Sequence, residues 1–568
     1  MTFTQNFMAV GNNLGLTAIV AVIPILYFFW ALAIKRMKGY IAGLTTLLLA
    51  IIIAVVAYKV PVGMAVMSAT QGAVYGVLPI GWIIVASVFL YKLTVKSGQF
   101  DIIRHSVLSI TEDRRLQALL VAFSFGAFLE GAAGFGAPVA ISAALLVGLG
   151  FNPLYAAGLC LIANTAPVAF GAIGTPVIAM EGPTGIAASE ISKMIGHQLP
   201  FLSAFIPFYL VLIMAGFKKT MEVLPAILVS GLSFAVAQYL SSNFLGPELP
   251  DIISALVSLV ALAIFLNFWK PKTIFRFSAE QELAATAAIS VKGNTKSREV
   301  HYTGGQIFKA WSPFVLLTAT ITLWGIPTIK LALSGHYAGS NAILKAVNSI
   351  GHAVTFMPEV PLIHNKVFSK VGAAPIPAFY KLELLAAAGT AILIAAIITK
   401  FIVNMSWKTW VGAFVETLNE VKYPLITIGS VVGFAYVINI AGMSTTLGLT
   451  LAKTGSVLFP FFSPFLGWLG VFVTGSDTSA NLLFGTLQKV TAESIGMNPI
   501  LALAANSSGG VTGKMISPQS IAVACAAVGL VGKESELFRF TIKHSIFLVV
   551  IVGIIVWLQN SVLSFMIP

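Results

Sequence analysis

Runs of about 18 or more apolar residues recur along the whole chain, and they constrain its fold more than any other feature. An apolar run of that length can cross the hydrocarbon core of a bilayer as a helix. Only 9% of the 568 residues are charged, against roughly 25% in a soluble domain, so the charges are too few to cover a soluble surface. The pattern predicts an all-α polytopic membrane protein with about twelve to fourteen transmembrane helices.

Basic residues cluster in the loops between the predicted spans, and such clusters mark the cytoplasmic side of a membrane protein. The clusters lie at 35–38, 92–115, 218–219 and 270–309. Spans are predicted near 14–34, 41–58, 80–95, 201–217, 223–240, 251–269, 310–327, 383–403, 423–440, 456–474, 515–531 and 543–560. We expect both termini and a long segment of about 328–382 to lie outside.

The most polar stretch of the chain divides it into two halves. We expect an N-terminal half at 1–269, a cytoplasmic polar linker at 270–309 and a C-terminal half at 310–568. The net charge of +13 does not indicate a nucleic-acid partner, because the basic residues lie in loops where they orient the chain in the bilayer.

Several classes of chemistry lack their signatures here. Cys160 and Cys525 lie in apolar runs without CxxC spacing, which is typical of small buried hydrophobic residues. The run SSGGVTGKM has Ser508 in place of the first glycine of a phosphate loop and Met515 in place of its Ser/Thr. No HExxH or GxSxG motif occurs. We therefore expect no enzyme activity, no metal and no cofactor.

Four stretches of the first half recur in order in the second half, at an offset of about 342–346 residues. The pairs are VASVFLYKLTVKSG (85–98) with GSVVGFAYVINIAG (429–442), GAFLEG (126–131) with GVFVTG (470–475), FNP (151–153) with MNP (497–499), and NTAPVAFGAIGTP (164–176) with NSSGGVTGKMISP (506–518). The loop charges orient the span at 80–95 inward and that at 423–440 outward, so the halves are predicted to be inverted repeats. Secondary transporters are typically built in this way, with the site at the repeat interface.

Backbone-breaking and polar residues interrupt both repeats at membrane depth. They are Gly131, Gly134, Gly136 and Pro138 in one half, and TGSDTSAN at 474–481, with Gly475, in the other. Irregular backbone at that depth is tolerated only where it is buried in protein or lines a wet cavity. The pattern therefore predicts paired re-entrant hairpins and broken helices, whose free N–H groups can hold a carboxylate.

Two carboxylates are candidates for coupling a proton to transport. Glu130 lies within GAFLEG, and Asp477 lies three positions beyond the equivalent place in the second half. Burial in lipid disfavours the charged form of a carboxylate, so either residue could bind and release a proton near neutral pH. The alternative is a purely structural role, with the ionised group held by glycine N–H groups.

Short polar side chains beside the predicted helix breaks are candidates for binding a small hydroxylated anion. They are Asn164, Thr165, Thr175, Asn506, Ser507, Ser508 and Ser517. Helix capping and helix–helix hydrogen bonding are the alternative roles. Lys514 is either a counter-charge for the anion or a lysine that snorkels to the membrane interface, and the snorkelling interpretation is preferred. His544 is expected at the interface, with a proton path as the alternative.

The repeats closely resemble the bacterial L-lactate permease family. The resemblance is carried by GAFLEGAAGFGAPVAISAALLVGLGF (126–151), NTAPVAFGAIGTP (164–176), TGSDTSANLLFG (474–485) and NSSGGVTGKMISPQSIAVACAAVGLVGKES (506–535), and it is weakest in the polar linker and at 328–382. It implies a symporter of the bacterial inner membrane that carries L-lactate, and often D-lactate and glycolate, together with a proton. It also implies kinship with ion transporters built from inverted halves with hairpins.

The expected partners are a small 2-hydroxy monocarboxylate, a proton and the lipid bilayer. The substrate is expected between the two broken-helix motifs, with the proton on Glu130 or Asp477, so that the loaded complex is neutral. A sodium-coupled or dicarboxylate carrier and a passive organic-anion channel are the alternatives. The oligomeric state stays open.

Overall fold

The computed structural model describes residues 2–132, 134, 137–277, 302–369, 373, 375–380 and 382–568. In the first half the helices are α1 (Leu14–Phe29), α2 (Gly39–Val56), α3 (Val62–Tyr75), α4 (Gly81–Lys96), α5 (Gln99–Leu108), α6 (Arg114–Gln117), α7 (Gly126–Ala132), α8 (Ala137–Gly148), α9 (Pro153–Ala163), α10 (Gly171–Thr184), α11 (Ala188–Ile195), α12 (Leu199–Ala215), α13 (Phe217–Glu222), α14 (Leu224–Phe244) and α15 (Pro250–Phe268). Short π-helical stretches at Trp30–Ile34, Gly76–Ile80 and Ala118–Phe125 extend or join some of them.

The second half is helical as well, apart from short strands. Its helices are α16 (Gly304–Gly325), α17 (Pro327–Leu333), α18 (Ala342–Ala353), α19 (Ala388–Ile402), α20 (Trp407–Ala441), α21 (Met443–Leu451), α22 (Gly455–Thr474), α23 (Asp477–Ile495), α24 (Pro499–Gly513), α25 (Pro518–Ala527) and α26 (Glu534–Gln559). Single 3₁₀ turns lie at Val168–Phe170, Ala452–Thr454, Lys514–Ile516 and Ser564–Met566.

The described part of the chain is a multi-pass helical membrane protein. Ten of its helices are long and apolar enough to cross a bilayer, or twelve if each of two bent pairs counts as one span. The bent pairs are 153–163 with 168–184, at 65°, and 188–195 with 199–215, at 43°. The count of twelve spans equals the lower limit of the predicted range of about twelve to fourteen.

Several predicted spans differ from the helices that form. The span expected at 80–95 is the second part of a 35-residue helical stretch that begins at Val62, because the backbone continues through Gly76 and Pro79 as a π-helical turn. The span expected at 383–403 is the shorter helix α19, because the chain is still a β-strand at Leu382–Glu383. The span expected at 515–531 is the shorter helix α25, because Ser517 and Pro518 start a new helix there.

The stretch Val62–Lys96 and the helix α20 are equally long and run antiparallel against each other. Both contain 35 residues, and their starts (62 and 407) and their ends (96 and 441) each differ by 345 residues. Lys96 pairs with Glu416 at 2.5 Å, whereas Gly72 packs against Gly433 at the other end of the contact. The approach is close because neither helix carries a side chain there: a Cβ atom on Gly72 would lie 2.6 Å from the carbonyl oxygen of Val432.

The basic loops that we expect on the cytoplasmic side meet around one buried arginine. The Arg115 guanidinium pairs with Asp113 at 2.7 Å and with Glu222 at 2.8 Å, and it donates to the carbonyl oxygen of Thr273 at 2.8 Å. The Arg115 guanidinium and the Thr273 hydroxyl hold the pKa of the Glu222 carboxyl below its ordinary value. Three separate loops are thereby fixed together on one side of the molecule.

The N-terminus lies with the long segment that we expect outside. Strand β1 (Phe3–Thr4) pairs in parallel with β3 (Val367–Phe368), while β2 (Thr355–Phe356) pairs antiparallel with β4 (Leu382–Glu383). The side-chain amide of Gln5 donates to the carbonyl oxygen of Asn439 at 2.8 Å. Asn439 lies near the end of α20, about 30 Å along that helix from its ion pairs with Lys92 and Lys96.

Gly72→Ala should destabilise the protein by about 1–3 kcal/mol, because the added methyl group meets the backbone of α20. Thermal unfolding of the purified protein in detergent measures the effect. Gly412→Ala is the matched control, since a Cβ atom added at that helical glycine has no neighbour within 4 Å. Equal stability of the two variants would contradict the close packing.

Candidate functional site

In the first half, two pairs of helices, each with a break between its members, position Glu130. Helices α7 and α8 pack against each other across the break between Ala132 and Ala137, and Gly134 in that break has φ +60°. The second is the bent pair of α9 and α10: Asn152 caps the start of α9, and the bend after Ala163 contains the 3₁₀ turn at 168–170. Gly136 of the predicted hinge lies outside the described residues.

The second half repeats these devices at equivalent positions. Helix α22 ends at Gly475, with φ +69°, and Ser476 caps the N-terminus of α23. Asn498 caps α24 as Asn152 caps α9, and a 3₁₀ turn at 514–516 precedes Ser517, whose hydroxyl caps α25. Asn152–Pro153 and Asn498–Pro499 therefore act locally, because each pair starts a helix.

The backbone break at the start of α10 is strained. Ala172, Ile173 and Gly174 have consecutive left-handed φ values of 44°, 56° and 69°. A β-branched residue in this region is an outlier, and each such residue costs about 1–3 kcal/mol. Gly171 beside them is required for space, since a Cβ atom there would lie 2.9 Å from an oxygen of Glu130. The strained residues therefore lie next to the carboxylate of Glu130.

Glu130 and Lys514 form a buried ion pair between the two halves. The Lys514 ammonium lies 2.6 Å from one carboxylate oxygen of Glu130, and the side-chain amide of Asn164 donates to the other oxygen at 3.0 Å. Glu130 is 3% exposed and Lys514 is 8% exposed. The preferred interpretation of Lys514 as a snorkelling lysine is therefore wrong, because its ammonium has a carboxylate partner inside the protein. That partner is 384 residues away, so local sequence could not show it.

Asp477 lies in a buried network of uncharged polar groups. One of its oxygens accepts from the Ser507 hydroxyl at 2.6 Å and from the Asn481 amide at 3.2 Å. Asn506 donates to Asn481 at 2.9 Å and in turn accepts from Gln488 at 3.2 Å. The other oxygen of Asp477 has no hydrogen-bond partner in the described part of the chain.

Glu130, Asp477 and Lys514 line the same cavity, which has a volume of about 630 Å³. The broken segments of both halves line it with Glu130, Gly134, Gly171, Ala172, Gly475, Ser476, Asp477, Thr478, Ser479, Lys514, Gln519 and Ser520. The lining continues to Lys38, Tyr40 and Tyr423, and the rings of the two tyrosines stack with centroids 4.8 Å apart. This cavity is larger than a small carboxylic acid and has both a cation and the start of α23 on its wall.

The remaining polar candidates are buried around the cavity and do not line it. The Thr175 hydroxyl donates to the carbonyl oxygen of Ala172 at 2.5 Å. The Ser517 hydroxyl donates to the hydroxyl oxygen of Ser520 at 2.8 Å. The hydroxyls of Thr165 and Ser508 have no hydrogen-bond partner among the described residues. Gly131 packs against the helix that begins at Pro250.

Asp251 is a buried carboxylate that the sequence reasoning missed. It is 1% exposed in the first turn of α15, and neither of its oxygens has a hydrogen-bond partner within the described ranges. A Cβ atom on Gly131 would lie 2.7 Å from that of Asp251, so this acid lies directly behind the segment that carries Glu130. The sequence does contain a signal for it. Asp251 lies between a proline and an apolar run of span length, which places an acid at the end of a predicted span.

Two further expectations concern histidine and metal ions. His544 on α26 is buried in the protein, 7% exposed, with one ring nitrogen 2.6 Å from the Tyr209 hydroxyl. Its position at the membrane interface stays a prediction. No three His, Cys, Asp or Glu side chains among the described residues cluster so that they could hold a metal ion.

Comparisons with known proteins give consistent family matches. The sequence model of a family described as L-lactate permease matches residues 17–563. The chain is 70% identical over 568 residues to "L-lactate permease" of Bacillus subtilis (strain 168), covering 100% of both chains, and 55% identical to "Glycolate permease GlcA" of Escherichia coli (strain K12), covering 99% of both. The crystal structure of the Alcanivorax borkumensis YdaH transporter is 14% identical, with 87% of each chain covered and a TM-score of 0.42.

Lys514→Met should destabilise the protein by about 3–5 kcal/mol, because it leaves the buried Glu130 carboxylate without its counter-charge. The double variant Lys514→Met with Glu130→Gln should recover most of that loss, since no charge is then left unpaired. Thermal unfolding in detergent measures both. A double variant as unstable as Lys514→Met would show that the pair is not the source of the loss.

Proposed function

The chain belongs to the L-lactate permease family, and we propose that it imports L-lactate, together with D-lactate and glycolate, by proton symport. The family is one of transporters, not of enzymes. The named substrates of the relatives, lactate and glycolate, are both small 2-hydroxy monocarboxylates. The observation that carries the proposal is the Glu130–Lys514 ion pair on the wall of a cavity between the broken helices of the two halves.

We propose that the halves 1–269 and 310–568, joined by the linker 270–309, contain inverted repeats of one unit. Support comes from the two 35-residue helical stretches that are 345 residues apart and pack antiparallel. Equivalent asparagine caps, 3₁₀ turns and left-handed glycines follow in the same order in both halves. In this arrangement α7 with α8, and the end of α22 with α23, serve as the re-entrant hairpins that hold the substrate between them.

The substrate carboxylate binds Lys514 and the N-terminus of α23 in this proposal. The free N–H groups and the dipole of a helix start favour an anion, and the cavity reaches Gly475 and Ser476 at that start. The substrate hydroxyl then has the side chains of Thr478 and Ser479 within the same lining. Asn164 holds Glu130, and Ser507 holds Asp477, so these two predicted binding residues support the carboxylates.

Proton coupling follows from competition for one lysine. Lys514 has Glu130 as its carboxylate partner, so a substrate anion must displace Glu130 to bind there. Glu130 is then a buried carboxylate without a cation, and taking up a proton removes that unfavourable charge. One proton therefore enters with one anion, and the loaded site is as neutral as the empty one. Asp477 is the second candidate for the proton.

We place the protein in the inner membrane of a bacterium, with both termini outside. The loops joined by Arg115 carry the basic clusters, and the N-terminus lies at the opposite end of α20 from Lys92 and Lys96. The cavity extends to Lys38, which belongs to a predicted cytoplasmic loop, so this conformation is inward-facing.

Proteoliposomes with an imposed pH gradient should accumulate radiolabelled L-lactate, and the accumulation should stop when a protonophore collapses the gradient. An imposed sodium gradient is the control. Uptake that needs sodium and ignores the protonophore would favour a sodium-coupled carrier, and uptake without accumulation would indicate a passive anion channel.

Glu130→Gln should lower pH-driven lactate uptake by about tenfold or more, because an amide at that position cannot take up the coupled proton. Initial rates in the same proteoliposomes measure the loss. Glu416→Gln is a matched control, since that glutamate is exposed and does not line the cavity. Unchanged proton-coupled uptake in Glu130→Gln would remove Glu130 from the coupling role.

A further inference from the structure

The Asp251 carboxyl has surroundings unlike those of the other two buried acids at the site. Glu130 accepts hydrogen bonds from Lys514 and Asn164, and one oxygen of Asp477 accepts two. Asp251 is as deeply buried, yet both of its oxygens are without a donor among the residues that the structure describes. A buried carboxylate without donors is far less favourable than a neutral carboxylic acid, so this position suits a group that carries a proton.

The neighbours of Asp251 connect it to the substrate site. Its Cβ atom lies against Gly131, the residue that follows Glu130 in the chain. Glu130 and Lys514 are the charged groups that act on it electrostatically. Asp251 is absent from the lining of the 630 Å³ cavity, so it lies behind the segment that carries Glu130 and outside the cavity.

A third acid precedes Asp251 in the chain. Glu248 is three residues earlier, in the loop between α14 and α15, and it is half-buried. We place this loop outside, because the predicted cytoplasmic clusters at 218–219 and 270–309 lie at the other ends of these two helices. Burial raises the pKa of the Glu248 carboxyl, while Lys330 on α17 lowers it and Glu181 raises it. The backbone N–H of Glu248 lies beside Gly174, the last residue of the strained break that follows Gly171.

We propose that Glu248, Asp251 and Glu130 form a proton path from the outer side of the membrane to the substrate site. The proton passes from outer water to the Glu248 carboxylate, then to Asp251, and from the Asp251 carboxyl to the Glu130 carboxylate. In each step one O–H bond breaks on the donor and one forms on the acceptor, and Asp251 is protonated again from Glu248. The inference rests on the proposed proton symport.

This path separates the route of the proton from the route of the substrate. The cavity extends towards Lys38 and Tyr423 on the proposed cytoplasmic side, whereas neither Glu248 nor Asp251 lines it. Glu130 is the point at which the two routes meet.

Asp251→Asn tests the path, because asparagine keeps the size of the side chain and cannot pass a proton. In proteoliposomes, pH-driven uptake of L-lactate should fall by about tenfold or more. Counterflow at equal pH, in which labelled lactate exchanges for internal unlabelled lactate without net proton movement, should stay within about twofold of the unmodified protein. Glu248→Gln should show the same division, and Asp251→Glu should restore a large part of the pH-driven uptake.

Asp101→Asn is the matched control, since Asp101 is an exposed acid on α5, and it should leave both activities unchanged. Loss of counterflow as well as pH-driven uptake in Asp251→Asn would indicate a structural role and overturn the path. Normal pH-driven uptake in Asp251→Asn or in Glu248→Gln would also overturn it. The absence of pH-driven uptake in the unmodified protein would instead contradict the proposed function itself.

Discussion

The buried ion pair between Glu130 and Lys514 is the interaction on which the rest of the structure depends. Removing two charges from water is costly, and their attraction offsets that cost only where the geometry is good and the remaining oxygens are also hydrogen-bonded. Both conditions hold at this pair, with a contact of 2.6 Å and the Asn164 amide on the second oxygen. Because each half contributes one partner, the pair ties the halves together at the wall of the cavity.

The broken helices are what make such a pair possible at membrane depth. A continuous helix satisfies all of its own backbone groups and offers nothing to a ligand, whereas a break exposes N–H groups and makes room for a cavity. Here the breaks are held by asparagine and serine caps, by left-handed glycines and by the strained residues Ala172 and Ile173. The long antiparallel pair, Val62–Lys96 with α20, packs against α10 beside them.

The sequence predicts the class of the molecule well because bilayer thickness and loop charge act locally. It also locates the segments that contain the breaks, since Gly, Pro and Asn act within a few residues of themselves. It cannot show contacts between distant residues, and for this reason it favours a snorkelling Lys514 over a counter-charge although the partner of this lysine is Glu130. It also does not show where one helix continues into the next. At Gly76–Ile80, a π-helical turn joins two helices that a glycine and a proline would ordinarily separate. Asp251 was overlooked because only its neighbours in space show that an acid at a span end lies beside the site.

The central claim is that a substrate anion and Glu130 compete for Lys514, so that binding of the anion takes up a proton. Calorimetry of L-lactate binding to the purified protein, in buffers of equal pH and different ionisation enthalpy, counts the protons taken up on binding. The account predicts an uptake of about one proton per lactate bound, as a neutral loaded site requires. Binding that leaves the observed enthalpy independent of the buffer would contradict it.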